Sequence, residues 1–393
     1  MFLRILKVSV FALSVAGAAA EAHDPSAYGG LFRTRDFGGV WLNADVGLFL
    51  GGAVSLAVNP ADPNHLLLGT DTNLLVTRNG GRDWKQEAPN KLFGAVFAVA
   101  FLADGKTALC STPAGVFRFE AGEWQQVVAP AEAAPSRAIV SGATPERVYL
   151  AGRRDLYRSE DRGRSWSKVE HGLPDQPEFS LLAAMVQPPE ILYAIADGRV
   201  LMSSDRGQGW QERNAGLPAG VEALSIDHAA TGRLWAAAAD RVYRSDDGGV
   251  RWKAVGQALP EPGTSVRAIA ADASATKLVL TTHRGMFRSV DGGETWGLLE
   301  GNLPVHLEAR PLVRDPTHAD TLYAGYALMP YSEIWRIAVE GGNLLGRVDV
   351  FSLAGGFAFL LLLGLAGVLF ARRLAARNGG SKTPLHNSGK WIP

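Results

Sequence analysis

The sequence predicts an all-β fold: a seven-bladed β-propeller closed by an N-terminal strand, followed by one C-terminal transmembrane helix. Three observations predict it. A tryptophan recurs at a nearly constant interval, a short box of fixed pattern precedes it, and a long uncharged apolar stretch lies near the chain's end.

The tryptophans come first. Trp41, Trp84, Trp124, Trp166, Trp210, Trp252 and Trp296 are separated by 43, 40, 42, 44, 42 and 44 residues. A period of that length marks a repeat architecture in which each unit is one supersecondary element. Six copies of the preceding box fit Ser/Thr-x-Asp/Asn-x-Gly-x-x-Trp. They hold Thr34, Asp36 and Trp41; Thr77, Asn79 and Trp84; Ser159, Asp161 and Trp166; Ser203, Asp205 and Trp210; Ser245, Asp247 and Trp252; and Ser289, Asp291 and Trp296. The copy ending at Trp124 (FEAGEW) has lost its Ser and is one residue short. A β-type run such as Arg241-Val242-Tyr243-Arg244 precedes the box and the Trp opens another, so the box reads as a hairpin. Its Gly meets a positive φ, its Asp and Ser/Thr side chains bond turn amides, and its Trp packs between neighbouring units.

Each repeat carries two more short strands before the hairpin. In one unit these are Ala223–Ile226 and Leu234–Ala237, followed by Val242–Arg244 and Trp252–Val255. Four short strands per repeat with Gly, Pro and Asp between them make a propeller blade. Strands do not alternate with long amphipathic helices, which excludes a doubly wound α/β sheet. Upstream strand pairs begin near Ser55, Val96, Ala138, Leu181, Ala223, Ala268 and Pro311, which gives seven blades. The last pair has no proper box, and the first box, Thr34 to Trp41, has no upstream pair. The N-terminal strand therefore completes the final blade and removes the free sheet edges. Trp335 follows Trp296 by 39 residues as a degenerate echo, and counting it would make eight.

The ends set the address. Residues 1–20 read as a signal peptide: Arg4 and Lys7, then an apolar core from Val8 to Ala16, then Ala18-Ala19-Ala20 before Glu21. The 22 residues from Val350 to Ala371 carry no charge, and Arg372, Arg373 and Arg377 follow. At ~1.5 Å per residue such a helix covers a hydrocarbon core of ~30 Å. The expected organisation is a signal peptide (1–20), an exported propeller (21–345), a transmembrane helix (348–371) and a disordered cytoplasmic tail (372–393). By the positive-inside rule this is a single-pass protein of a bacterial inner membrane, its ring on the periplasmic or extracellular side. Basic and acidic residues balance at 39 each. Both basic ends lack acids, so the middle is acidic, which excludes a nucleic-acid partner. Cys110 is the single cysteine and the eight histidines lack ligand spacing, so no disulfide, metal or cofactor is expected.

At this point the residues resemble a known group, the Asp-box (bacterial neuraminidase repeat) propellers, of which LYRSEDRGRSW and MFRSVDGGETW are typical. The likeness covers about residues 30–340. Within the group, the uniform Tyr/Phe-Arg-Ser-x-Asp-x-Gly boxes are most similar to the photosystem II assembly and stability factor type. They are also similar to sialidase, xyloglucanase and sortilin-type repeats. The resemblance implies the propeller, with function open between two classes.

The first class is a non-catalytic scaffold or assembly factor for another membrane or periplasmic protein. The second is a sialidase- or xyloglucanase-like glycoside hydrolase, or a glycan-binding protein. No catalytic residue is assigned. The box aspartates sit in equivalent hairpins on different blades and do not converge. Phe32-Arg33-Thr34-Arg35 departs from the Phe/Tyr-Arg-Ile-Pro opening of sialidases, and nothing pairs Asp197, Asp227, Asp240 or Asp272 into an acid–base couple. Arg33, Arg158, Arg244 and Arg288 precede the box Ser/Thr, and Arg118 is a near match. Each either bonds the adjacent blade or contributes to an arginine-lined face for an acidic peptide or a carboxylate. Val76 and Met202 interrupt any such ring.

Overall fold

The structure, a computed structural model, describes residues 29–340 except 46–49, 174–176, 187–188 and 228–229. The expected signal peptide, transmembrane helix and tail lie outside the described residues. Among the described residues, no helix is long and apolar enough to cross a membrane.

The described strands form seven antiparallel sheets of four strands each. Blades 1 to 6 occupy residues 53–86, 98–126, 138–169, 179–212, 221–254 and 266–298. Blade 7 is shared between the two ends of the chain. Its inner strands are Glu308–Arg314 and Leu322–Ala327, and its outer strands are Gly30–Thr34 and Leu42–Asn43, in the order 42–43, 30–34, 322–327, 308–314. The ring therefore has seven blades, not eight. Trp335 belongs to no strand and lies on a helix, α1 (Tyr331–Glu340).

Burial is greatest at the second strand of most blades and falls outward from there, and the sequence follows it. Second strands such as Val148–Ala151, Leu234–Ala238 and Leu278–Thr282 are buried at every residue, because other strands cover both their faces. Such strands read as unbroken small or apolar runs. Fourth strands such as Lys85–Gln86 and Lys253–Ala254 are short and exposed. Neighbouring blades meet through the tryptophans. Trp296 of blade 6 packs in one cluster with Trp235 and Val242 of blade 5. A buried Trp removes about 200 Å² from water, about 5 kcal/mol at about 25 cal/mol per Å². Some of these rings also fasten themselves by hydrogen bonds. Trp84 Nε1 donates to the Ala44 carbonyl at 2.7 Å, and Trp252 Nε1 to the Arg213 carbonyl at 2.8 Å. Both acceptors lie just past the outer strand of the preceding blade.

The inner strands share a second device. In blades 1, 4, 5, 6 and 7 their pairing with the second strand slips early, by a bulge. It turns Val54, Ser180, Glu222, Arg267 and Arg310 out of the ladder. In blade 7 the bulge also holds Pro311, whose missing N–H forfeits no ladder bond there.

Closure rests on five residue pairs, from Gly30 opposite Tyr326 to Thr34 opposite Leu322. Phe32 is 1 % exposed, and its ring meets that of Tyr326 edge-on at 5.4 Å. Phe32→Ala should destabilise the ring by about 3–5 kcal/mol, whereas Val40→Ala, at an exposed site, should cost under about 0.5 kcal/mol. Thermal melts of the two variants compare them directly.

Candidate functional site

The box hairpins define the rim where the inner strands end, here the exit face; the opposite rim is the entry face. In the six boxes with a Ser or Thr, the hydroxyl donates to the Asp or Asn side chain two residues on at 2.6–2.9 Å. The same hydroxyl accepts the N–H of the box Gly at 2.8–3.1 Å. The Asp or Asn oxygen accepts one or two further amides, as from Arg251 and Thr295 at 2.9 and 3.0 Å. The box Gly residues have φ between +79° and +95°, a region where a Cβ would be strained. These aspartates are thus spread around the rim on separate blades, each engaged within its own turn.

That bonding holds the carboxyls in their charged form. The Arg251 amide and the Ser245 hydroxyl keep Asp247 below its ordinary value. The Ser289 and Thr295 hydroxyls do the same for Asp291. At Asp36 burial pushes upward, but the Thr34 hydroxyl, the Val40 and Gly39 amides and the Arg288 charge together outweigh it.

The four arginines named from the sequence stand on blades 7, 3, 5 and 6, and the structure does not bring them together. Arg33 donates to the Gly80 carbonyl of blade 1 at 2.9 Å. Arg158 lies 3.0 Å from Glu160, and Arg244 lies 2.7 Å from Asp246. The charge of Arg288 acts on Asp36 of blade 7. Arg118, the near match, donates to the Arg162 carbonyl at 2.9 Å. Arg33 also borders a groove of about 490 Å³ with Arg35, Asn64, Asp315 and Tyr323.

The channel itself is lined by the inner strands. Leu56, Val99, Ile139, Leu182, Leu224, Ile269 and Leu312 occupy one register position, one per blade. They form an aliphatic collar. On its exit side lies a cavity of about 530 Å³ bordered by Phe101, Trp235, Asp227 and Arg314. Asp227 is ion-paired with Arg233 at 3.1 Å. On the entry side a smaller space of about 200 Å³ lies among Arg137, Arg310 and Tyr331.

Helix α1 covers part of the entry mouth. Tyr331, Ile334 and Trp335 pack on Val54, Ala95 and Phe97. The Arg137 guanidinium lies 4.0 Å from the Trp335 ring centre, and that of Arg310 lies 4.1 Å from the Tyr331 ring centre. Both pairs are cation–π contacts in a largely desolvated setting. Glu308 accepts the Tyr331 N–H at 2.9 Å and is held by Arg267 at 2.7 Å. A carboxylate there favours a helix N-terminus. Sequence reasoning missed this constellation. Its signal was the spacing of Tyr331, Ile334, Trp335, Ala338 and Val339, which is helical, not a strand's alternation.

Among the described residues, no three His, Cys, Asp or Glu side chains cluster in a way that could hold a metal ion. Cys110 is fully buried, and burial pushes its thiol up.

No protein-family model and no curated protein sequence matches the chain. Solved structures do. YCF48 from Cyanidioschyzon merolae is 16% identical with a TM-score of 0.55, the match covering 72% of this chain and 97% of that one. The likeness is one of fold. YCF48 bound to D1 peptide is 17% identical with a TM-score of 0.54, covering 71% of this chain and 94% of that one. The GH74 xyloglucanase from Xanthomonas campestris is 22% identical with a TM-score of 0.54, covering 74% of this chain but 55% of the enzyme.

Two predictions follow from this geometry. Asp247 and Asp291 have carboxyls held low in the folded ring and near ~3.9 when unfolded. Their contribution is complete above that value and is lost as pH falls through the folded values. Asp247→Asn and Asp291→Asn should each lower the melting temperature at pH 7 and flatten its fall below pH ~4. Trp335→Ala should release α1, so hydrogen exchange should speed up over residues 331–340 while the second strands stay protected.

Proposed function

We propose that the protein is a non-catalytic, membrane-anchored propeller that serves as an interaction scaffold or assembly factor for an envelope or membrane protein complex. In this proposal the ring lies outside the cytoplasm, tethered to a bacterial inner membrane, with the C-terminus inside. The observation that carries the binding role is α1 itself: the ring already grips a peptide segment at its entry mouth, through an apolar shelf and two arginines. The fold is the one seen in YCF48 bound to D1 peptide, which supports a protein segment as the ligand class.

The acids near the channel favour binding over hydrolysis. Glycoside hydrolysis needs two carboxylates ~5–9 Å apart and available to a substrate. Here Asp227 is committed to Arg233, and Glu308 to Arg267 and to the start of α1. The likeness to a xyloglucanase keeps a glycan ligand as the second reading.

Affinity purification of the full chain from detergent-solubilised membranes should recover one protein reproducibly, and a chain lacking residues 30–340 should not. Recovery of nothing specific, together with sugar release from a glycan panel, would reverse the assignment.

A further inference from the structure

We propose that the entry face is the side of the ring that lies against a lipid bilayer, resting on it through Phe93, Leu328 and Met329. This rests on the membrane-anchored reading and adds an orientation to it.

The first support is where the chain leaves the ring. Helix α1 is fastened over the entry mouth by Arg137, Arg310 and the Phe97 shelf, and its last residue is Glu340. Only residues 341–349 separate it from the uncharged stretch that starts at Val350. At ~3.3–3.6 Å per residue that link reaches at most about 32 Å, roughly the thickness of one hydrocarbon core.

The second support is independent of the anchor. Phe93 is 61% exposed, Leu328 45% and Met329 38%. All three lie on entry-face connections. The Gly94 N–H beside Phe93 donates to the Thr72 carbonyl in the hairpin between the second and third strands of blade 1. The Leu328 N–H donates to the Gly51 carbonyl, just before the first strand of that blade. A phenyl ring, a leucine and a thioether side chain are thus exposed on the entry-face connections around blade 1. Side chains of this kind are the ones that enter the interfacial zone of a bilayer. The exit face differs. Val40, Val250 and Val290 at boxes and Val186 just past the inner strand of blade 4 are exposed there, but each is a single small side chain on a different blade. Isolated exposed valines are ordinary surface.

The lone Cys110 is sealed in the core, so a new surface cysteine can be labelled selectively. The full chain is reconstituted in phosphatidylethanolamine–phosphatidylglycerol vesicles doped with a spin-labelled quencher lipid. A fluorophore is placed at Phe93→Cys or Met329→Cys on the entry face, and at Val250→Cys or Val290→Cys on the exit face. The entry-face labels should be quenched several-fold more strongly than the exit-face labels. If the chain floats with the vesicles and the two faces are quenched equally, or the exit face more, this inference is overturned and the anchored reading stands. If the chain does not float with the vesicles, both are overturned.

Discussion

In six of the seven blades a Ser or Thr hydroxyl binds an Asp or Asn side chain two residues on, and the pair gathers the amides of one turn. The turn fixes the direction in which the chain reverses, and so fixes where the following Trp enters. The Trp is the wedge that sets one blade against the last, through apolar area in every case and through a backbone hydrogen bond to the preceding blade at Trp84 and Trp252. Blade 2, without a Ser, keeps the wedge by another route: Trp124 Nε1 donates to Glu87 of blade 1 at 3.0 Å. The side-chain bond serves the hairpin, and the hairpin serves the blade interface.

The sequence displayed this logic openly, because it repeats. Spacing alone located the boxes, and two unmatched fragments at the ends of the repeat series implied that they share a blade. Features that occur once were harder to see. Trp335 falls near the expected interval as a degenerate echo of the series, yet its neighbours Tyr331 and Ile334 follow the helical period. The entry-mouth arginines were hidden for a different reason. Whether Arg267 or Arg310 faces the channel is decided by a bulge, and a bulge leaves no residue-type signature that a single sequence discloses.

The two arginine sets show why a recurring charge is a weak guide to a site. Arg33 and Arg118 repeat in register and point to backbone carbonyls of a neighbouring blade, and Arg158 and Arg244 pair with acids two residues along. Arg137 and Arg310 do not recur as a motif, and they are the ones that meet aromatic rings above the channel. Repetition marks what the ring needs to exist. Departures from it mark what distinguishes one face from the other.

The shared seventh blade also has a consequence in time. Gly30–Thr34 is made first and pairs with Leu322–Ala327, almost the whole domain later. Until that partner emerges from the ribosome, the earliest segment has no place to dock and the inner edge of the series stays open. Contacts so distant in sequence are slow to form, and an open sheet edge is prone to pair with other chains while it waits. Chain completion and ring closure are therefore one event, and a product stopped short of residue 322 would expose that edge to proteases and chaperones.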